Sequence, residues 1–317
     1  MDLPKKRKHK GLARLVLFHA HTLWLFTFSD IKTIVIPSTV FGLTNALAAP
    51  VFEITTVHKF DLIYLSRRSP FVILWVWLNL LPFNIDNQRT QLAIEEDGVN
   101  KPWRPIPSGR ISSNQAGRIM LAAHVIVQAA SISLGCGIRQ ALALVVLGAW
   151  YNNFGGADCH PLVRNAINAL GYVCFTSGAM EVAIGRPLPV FSRDSILLKW
   201  LGVTAAVIFT TVHTQDMYDQ KGDALRGRLT VPIVIGDCLA RWTIAFWLVV
   251  WGLSCPQFWV VDYTAWGGSV GMAILVASRT LSFRDVLSDR TTFAIWNVWI
   301  SLVYLLPIWK LNQVECV

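Results

Sequence analysis

Three carboxylates, Asp216, Asp219 and Asp223, are spaced i, i+3 and i+7, with Lys221, Arg226 and Arg228 interleaved or close behind. On a helix turning about 100° per residue they would point within roughly 60° of one another. Like charges on one helical face repel, and folding alone does not reward the arrangement. A divalent cation does. Hard Mg2+ takes oxygen ligands, keeps several waters and is usually held by one or two carboxylates together with substrate phosphates. The neighbouring cations are donors for phosphate oxygens. A solvated loop of scattered charges is the plain alternative, because an isolated Asp-x-x-Asp is common.

A second polar stretch has the same chemistry. It runs from Asn84 through Asp86, Asn87, Gln88 and Arg89 to Glu95, Glu96, Asp97, Asn100, Lys101 and Arg104. Pro102, Pro105 and Pro107 stiffen the backbone around Lys101 and Arg104. Alone it reads equally well as a Pro-rich connection. Beside the other acidic cluster it reads as half of a metal–phosphate site, provided both halves open to one side.

The elements that must position these residues are membrane helices. Apolar side chains make up 54% of the 317 residues and charged ones 15%, where a soluble protein carries roughly 25% charged. That excludes a soluble domain, disorder and a disulfide-stapled secreted fold. A span needs about 20 apolar residues, and candidates lie near 33–52, 70–87, 115–135, 139–154, 166–184, 195–213, 238–256, 263–279 and 292–310, about nine in all. The segment from Leu15 to Phe28, broken by His19 and His21, is expected along the membrane interface. Residues 1–30 form a basic tail with that segment, and 31–317 the membrane domain. The formal charge is +9. Its basic residues fall between apolar runs, so the excess reads as contact with anionic lipid and not with nucleic acid. The tail places the N-terminus in the cytosol, and crossing parity puts both polar stretches there, with Arg164, Arg284 and Arg290. The opposite loops are poorer in charge, although Lys59, Arg67 and Arg68 dilute the contrast. Six cysteines (Cys136, Cys159, Cys174, Cys238, Cys255 and Cys316) lack a CxxC pair and read as packing residues. No cleavable signal peptide is expected.

The run Asp97-Gly98-Val99-Asn100-Lys101-Pro102-Trp103-Arg104-Pro105-Ile106-Pro107-Ser108-Gly109 resembles the segment after the first Asp-rich motif of the UbiA superfamily of intramembrane prenyltransferases. Asp216, Asp219 and Asp223, followed by Gly227-Arg228-Leu229-Thr230-Val231-Pro232, resemble its second motif. The resemblance covers Ile31 through the last helix. It implies an all-α bundle of nine helices around a central cavity, with two Mg2+ ions bridging the motifs to a prenyl diphosphate. It assigns the metal site to Asn87, Glu96, Asp97, Asp216, Asp219 and Asp223. The diphosphate clamp would be Asn100, Lys101, Arg104, Lys221 and Arg228. One departure is informative. Members acting on quinone precursors usually carry NDxxDxxxD before the NKPxRP run, but here Arg89, Thr90 and Ala93 fill the first three acidic-motif positions. Asn87-Gln88 and Glu95-Glu96-Asp97 stand instead, a variant similar to fungal UbiA-type terpene cyclases. On one unbroken helix Asn87 and Asp97 would diverge by about 80°, so a bend is required between them.

The chemistry implied is ionisation of a prenyl diphosphate, farnesyl or geranylgeranyl, and cyclisation of the carbocation by a class I terpene cyclase. A transferase joining the chain to an aromatic acceptor is the alternative. A transporter is disfavoured, because transport sites lie near the midplane on broken helices. The carbocation needs a dry cavity with electron-rich walls. Candidates for the walls are Trp75, Trp77, Phe83, Trp150, Tyr151, Phe154, Tyr172 and Phe175, with Asn152, Asn153, Asn165 and Asn168 as polar helix-end residues. The asparagines could equally bond neighbouring helices. His124 and Glu181 could take the terminating proton or cap a buried cluster. The expected setting is the endoplasmic reticulum membrane, with the site mouth cytosolic. Sequence is silent on oligomeric state and product.

Overall fold

The computed structural model describes residues 5–54, 62–189 and 195–315, with side chains between 13 and 313. The side chains of Lys5 to Lys10, and residues Lys59 and Cys316, therefore lie outside the described residues. The described residues form helices joined by turns, with no strand among them. In order the helices are α1 (Lys5–Thr27), α2 (Ile36–Leu47), α3 (Leu62–Gln88), α4 (Gln91–Asn100), α5 (Ser113–Leu134), α6 (Ile138–Asn153), α7 (Pro161–Ile184) and α8 (Ile196–Thr211). Then come α9 (Gln220–Arg226), α10 (Val231–Ile235), α11 (Asp237–Trp259), α12 (Tyr263–Ser282), α13 (Val286–Tyr304) and α14 (Leu306–Glu315).

Every apolar stretch picked out in the sequence carries a helix. Six segments, however, are long and apolar enough to cross a membrane: Leu62–Gln88, Ser113–Leu134, Pro161–Ile184, Ile196–Met217, Asp237–Trp259 and Val286–Gln313. Helices α2 and α6 have 12 and 16 residues, short of the roughly 20 a perpendicular span needs. Nine helices are therefore present where expected, but nine spans are not established. The chain is an integral membrane protein.

Helix α7 is the axis of the bundle, packing on α2, α3, α6 and α8. Its inner half is buried on all sides, from Phe175 to Ile184. Small residues allow this. A Cβ on Gly178 would lie 2.1 Å from the Trp75 ring, so α3 and α7 approach closely where glycine offers no side chain. Trp75 is held there by its indole N–H on Ser131 Oγ at 3.0 Å.

Caps mark the ends that matter for the site. Ser112 opens α5 with a reciprocal capping box to Gln115. His160 caps α7, with Pro161 in the first turn, where its missing N–H is not required. Helix α1 is docked to the bundle through its C-terminal end. Phe26 is buried, Trp77 donates to Thr27 Oγ1 at 3.0 Å, and the amides of Asn84 and Gln88 donate to the Phe26 carbonyl at 3.2 and 2.9 Å. A 3-10 turn follows at Phe28–Asp30 and a π turn at Ile31–Val35, carrying Ser29 and Asp30 to the same end as the polar stretches.

Candidate active site

The bend required between Asn87 and Asp97 is present. Helix α3 stops at Gln88, and Thr90 in an extended conformation caps α4, its hydroxyl accepting from Ala93 N at 3.4 Å. This break aims Asn87 from α3 and Glu96 and Asp97 from α4. The second belt is also broken, contrary to the single helical face expected. Asp216 sits in a 3-10 turn (Val212–Met217), and Asp219 is the residue before α9, which carries Asp223. Backbone bonds Asp219 N to Asp216 O (3.3 Å) and Asp223 N to Asp219 O (3.0 Å) keep the three in sequence around one turn.

The two belts meet. Lys101 of the first lies 3.1 Å from Asp219 of the second, while Arg226 and Arg228 of the second reach Glu96 of the first at 3.1 and 3.4 Å. Asn100 Nδ2 donates to Asp219 O at 3.4 Å, and a Cβ on Gly222 would fall 2.0 Å from that nitrogen. Glycine at 222 is what lets α9 close on α4.

Around this junction each carboxylate has a cation. Arg228 also bonds Asp223 at 3.2 Å, and Arg164 on α7 holds Asp216 at 2.9 Å and donates to the Tyr151 hydroxyl. Arg104 grips both oxygens of Asp97 at 2.7 and 2.9 Å. Burial pushes the Glu96 carboxyl up, but Arg228 and Arg226 overcome it and hold its pKa below the ordinary value. Asp223 goes the other way. Burial first, then the neighbouring Asp216, push it up to about 7.

The donor set fits a hard cation. Asn87 Oδ1, Asp216 Oδ2, Asp219 Oδ1 and Asp223 Oδ2 are buried without a hydrogen-bond partner among the described residues. Orphaned buried oxygens of this kind call for an occupant. Among the described residues no three Asp, Glu, His or Cys side chains gather closely enough to hold an ion by themselves. That suits Mg2+, which completes its shell with water and substrate oxygens.

Beneath the charges lies a cavity of about 1090 Å3. Arg164, Ile167, Asn168, Gly171, Tyr172 and Phe175 line it along one stripe of α7, so it descends about 16 Å at 1.5 Å per residue. Of the residues picked out for the walls, Phe83, Tyr151, Tyr172, Phe175 and Asn168 line this cavity.

Several expected residues are elsewhere. Trp150 is 42% exposed and Phe154 77% exposed, both on the outside of α6. Trp75 and Trp77 are helix-packing residues. Asn165 faces away, donating to Phe209 O at 3.0 Å beside His213. Lys221 is exposed and does not line the cavity. Asp97 is bonded through both oxygens by Arg104 and does not line the cavity. Glu181 lies at the far end, accepting from Gly137 N, Arg139, Gln140 and Leu188 N at 2.5–3.0 Å. It caps a buried cluster. Missed in the sequence were Asp30, Arg164 as a ligand of Asp216, Tyr218 and Phe293, all on the cavity wall. An Asp just after an apolar helix was a readable signal for Asp30; nothing linear marked the others.

Residues 71–299 match the UbiA prenyltransferase family. The chain belongs to that family. Among relatives of this UbiA-family chain, the fumagillin beta-trans-bergamotene synthase of Aspergillus fumigatus is 30% identical over 94% of this chain and 95% of its own length. The somaliensene A/B synthase of Streptomyces somaliensis is 28% identical over 94% and 96%. A polyprenyl transferase of Hericium erinaceus is 29% identical over 70% of each. In fold, the chain is similar to a UbiA homologue from Archaeoglobus fulgidus bound to GPP and Mg2+, with a TM-score of 0.55 and 12% identity, covering 88% of this chain and 99% of that one. The same homologue is also known with Cd2+.

Proposed function

We propose that this UbiA-family protein is a membrane-embedded, Mg2+-dependent class I terpene cyclase acting on a prenyl diphosphate, with farnesyl diphosphate as the best-fitting chain. The observation that carries the reading is the junction of the two belts, Lys101 with Asp219 and Arg226 and Arg228 with Glu96, directly above an aromatic cavity. The bergamotene and somaliensene synthases match nearly end to end, and the Asn-Gln…Glu-Glu-Asp variant of the first motif points the same way.

Asn87, Asp216, Asp219 and Asp223 would hold the metal, with Glu96 beside them. Bound there, Mg2+ supplies positive charge to the oxygens of the leaving diphosphate. Lys101, Arg104, Arg164 and Arg228 face the cavity mouth and bind the diphosphate oxygens by charge-assisted hydrogen bonds. Those bonds strengthen as negative charge gathers on the departing group, which is how a fixed set of donors lowers a barrier. The isoprenoid tail lies along α7, where Phe83, Tyr151, Tyr172 and Phe175 offer ring faces to the carbocation at about 0.5–2 kcal/mol each. Ile167, Leu144 and Leu147 complete a wall without a nucleophile. We place the mouth on the cytosolic face of the endoplasmic reticulum, because Arg89, Arg110, Arg284 and Arg290 share its end.

The test is incubation of purified protein with Mg2+ and farnesyl diphosphate and no acceptor, followed by gas chromatography of the extract. A cyclic terpene and free diphosphate are expected. An absolute requirement for a second substrate would make the protein a prenyltransferase instead.

A further inference from the structure

A second cavity, of about 680 Å3, lies between α3, α5 and α6. It shares three residues with the isoprenoid cavity: Phe83, Leu144 and Gly148. Its lining is mostly apolar but carries six polar side chains, Asn79, Asp86, Arg89, His124, Asn152 and Asn153. Asp86 is 7% exposed and is held by Arg89 and by Asn153 Nδ2, each at 2.7 Å. His124, half-buried, lines the chamber. Both amide atoms of Asn152 are buried without a partner. Polar groups within membrane spans are costly unless satisfied, and water is the smallest molecule that satisfies an imidazole, an amide and a carboxylate together.

We propose that this is a hydrated side chamber, and that Phe83 is the partition that keeps its water from the carbocation. The wall is thin and closely fitted. A Cβ on Gly148 would lie 3.3 Å from Phe83 Cδ2, and the Phe83 ring leans on Tyr151 with centroids 5.4 Å apart. The ring thus stands between the two cavities and lines both. With the partition in place the cation ends by losing a proton, giving a hydrocarbon. With it removed, a chamber water adds through its oxygen lone pair to the cationic carbon. The resulting oxonium gives its proton to His124, directly or through a second water, and an alcohol leaves. No oxidant or further reactant is needed. Phe83 is in this sense a specificity-determining residue between elimination and hydration.

The inference rests on the cyclase reading, and the experiment separates the two. Full-length protein in nanodiscs is given a prenyl diphosphate and Mg2+ in 18O-labelled water. Phe83→Ala and the milder Phe83→Leu are compared with Phe175→Leu, which alters a wall that the chamber does not share. Phe83→Ala is expected to raise the alcohol-to-hydrocarbon ratio at least about tenfold, corresponding to about 1.4 kcal/mol between two exits, with 18O in the alcohol. Phe83→Leu should give a smaller rise, and Phe175→Leu new hydrocarbons without label. A ratio unchanged in both Phe83 variants, or raised equally by Phe175→Leu, overturns the partition. A wild-type protein that forms no terpene from any prenyl diphosphate refutes the cyclase reading instead. Hydration has its own readout without turnover. Val127→Cys, at a buried chamber position, should react with a charged, membrane-impermeant thiosulfonate when mapped by mass spectrometry. Reaction with a permeant maleimide alone would show the chamber to be dry and overturn the proposal.

Discussion

Asp216, Asp219 and Asp223 each use one carboxylate oxygen on a cation and leave the other buried and unpartnered. The arrangement holds the side chains in place without consuming the atoms that a metal needs. Asp219→Ala should lower turnover at least about a hundredfold, the scale on which single electrostatic contacts to a developing anion act. Circular dichroism and gel filtration should remain those of the folded protein. Activity close to wild type would remove the second belt from the chemistry. Lys101→Met should raise KM for the prenyl diphosphate about tenfold, the loss of one charge-assisted contact. Lys221→Met should leave KM unchanged, because that side chain is exposed away from the cavity. Both are read from initial rates at saturating Mg2+. Lys221 shows the limit of linear spacing: it stands within the acidic cluster, yet α9 turns it outward.

At the scale of elements, the site depends on two breaks and one close approach. The break after Gln88 was legible as a geometric necessity, because one straight helix cannot point Asn87 and Asp97 at one ligand. The second break was not. Residues 216–223 carry a helical spacing, and nothing local announces a 3-10 turn. It is stabilised by contacts from afar, such as the Trp296 indole N–H on Thr211 Oγ1 at 3.1 Å and Arg164 on Asp216 at 2.9 Å. The close approach of α4 and α9 at Gly222 gives a sharp test. Gly222→Ala adds a carbon 2.0 Å from Asn100 Nδ2, so it displaces the Asn100 side chain that ties α4 to Asp219 or pushes the belts apart. Reactive groups displaced by about an ångström lose on the order of a hundredfold in rate. The expected result is a loss of that order in kcat/KM, with the Mg2+ dependence shifted to higher concentration. Unaltered Mg2+ titration curves would show that the two belts act separately.

At the scale of the whole molecule, the bundle supplies a slot whose width is set by small residues. Gly171 lines the cavity, and a Cβ there would meet nothing within 4 Å. Gly171→Leu should therefore fold normally while narrowing the slot, shifting preference from geranylgeranyl towards farnesyl diphosphate by about tenfold or more, the usual scale for crowding an apolar pocket. Competition between the two diphosphates in one vessel measures it. Excess EDTA should silence every activity, and turnover in its presence would point to chemistry begun by protonation. Composition and hydropathy determined by themselves that this is a helical membrane protein, and residue spacing singled out two acidic stretches with interleaved cations as the candidate site. Those properties are local along the chain. What only the tertiary structure decided is which cation pairs with which carboxylate and which aromatics line the cavity. Rotating a helix about its axis exchanges lipid-facing for cavity-facing side chains, and that rotation is set by neighbouring helices. Among 14 tryptophans the linear order could not separate Trp150, turned outward, from Tyr151 beside it, turned in.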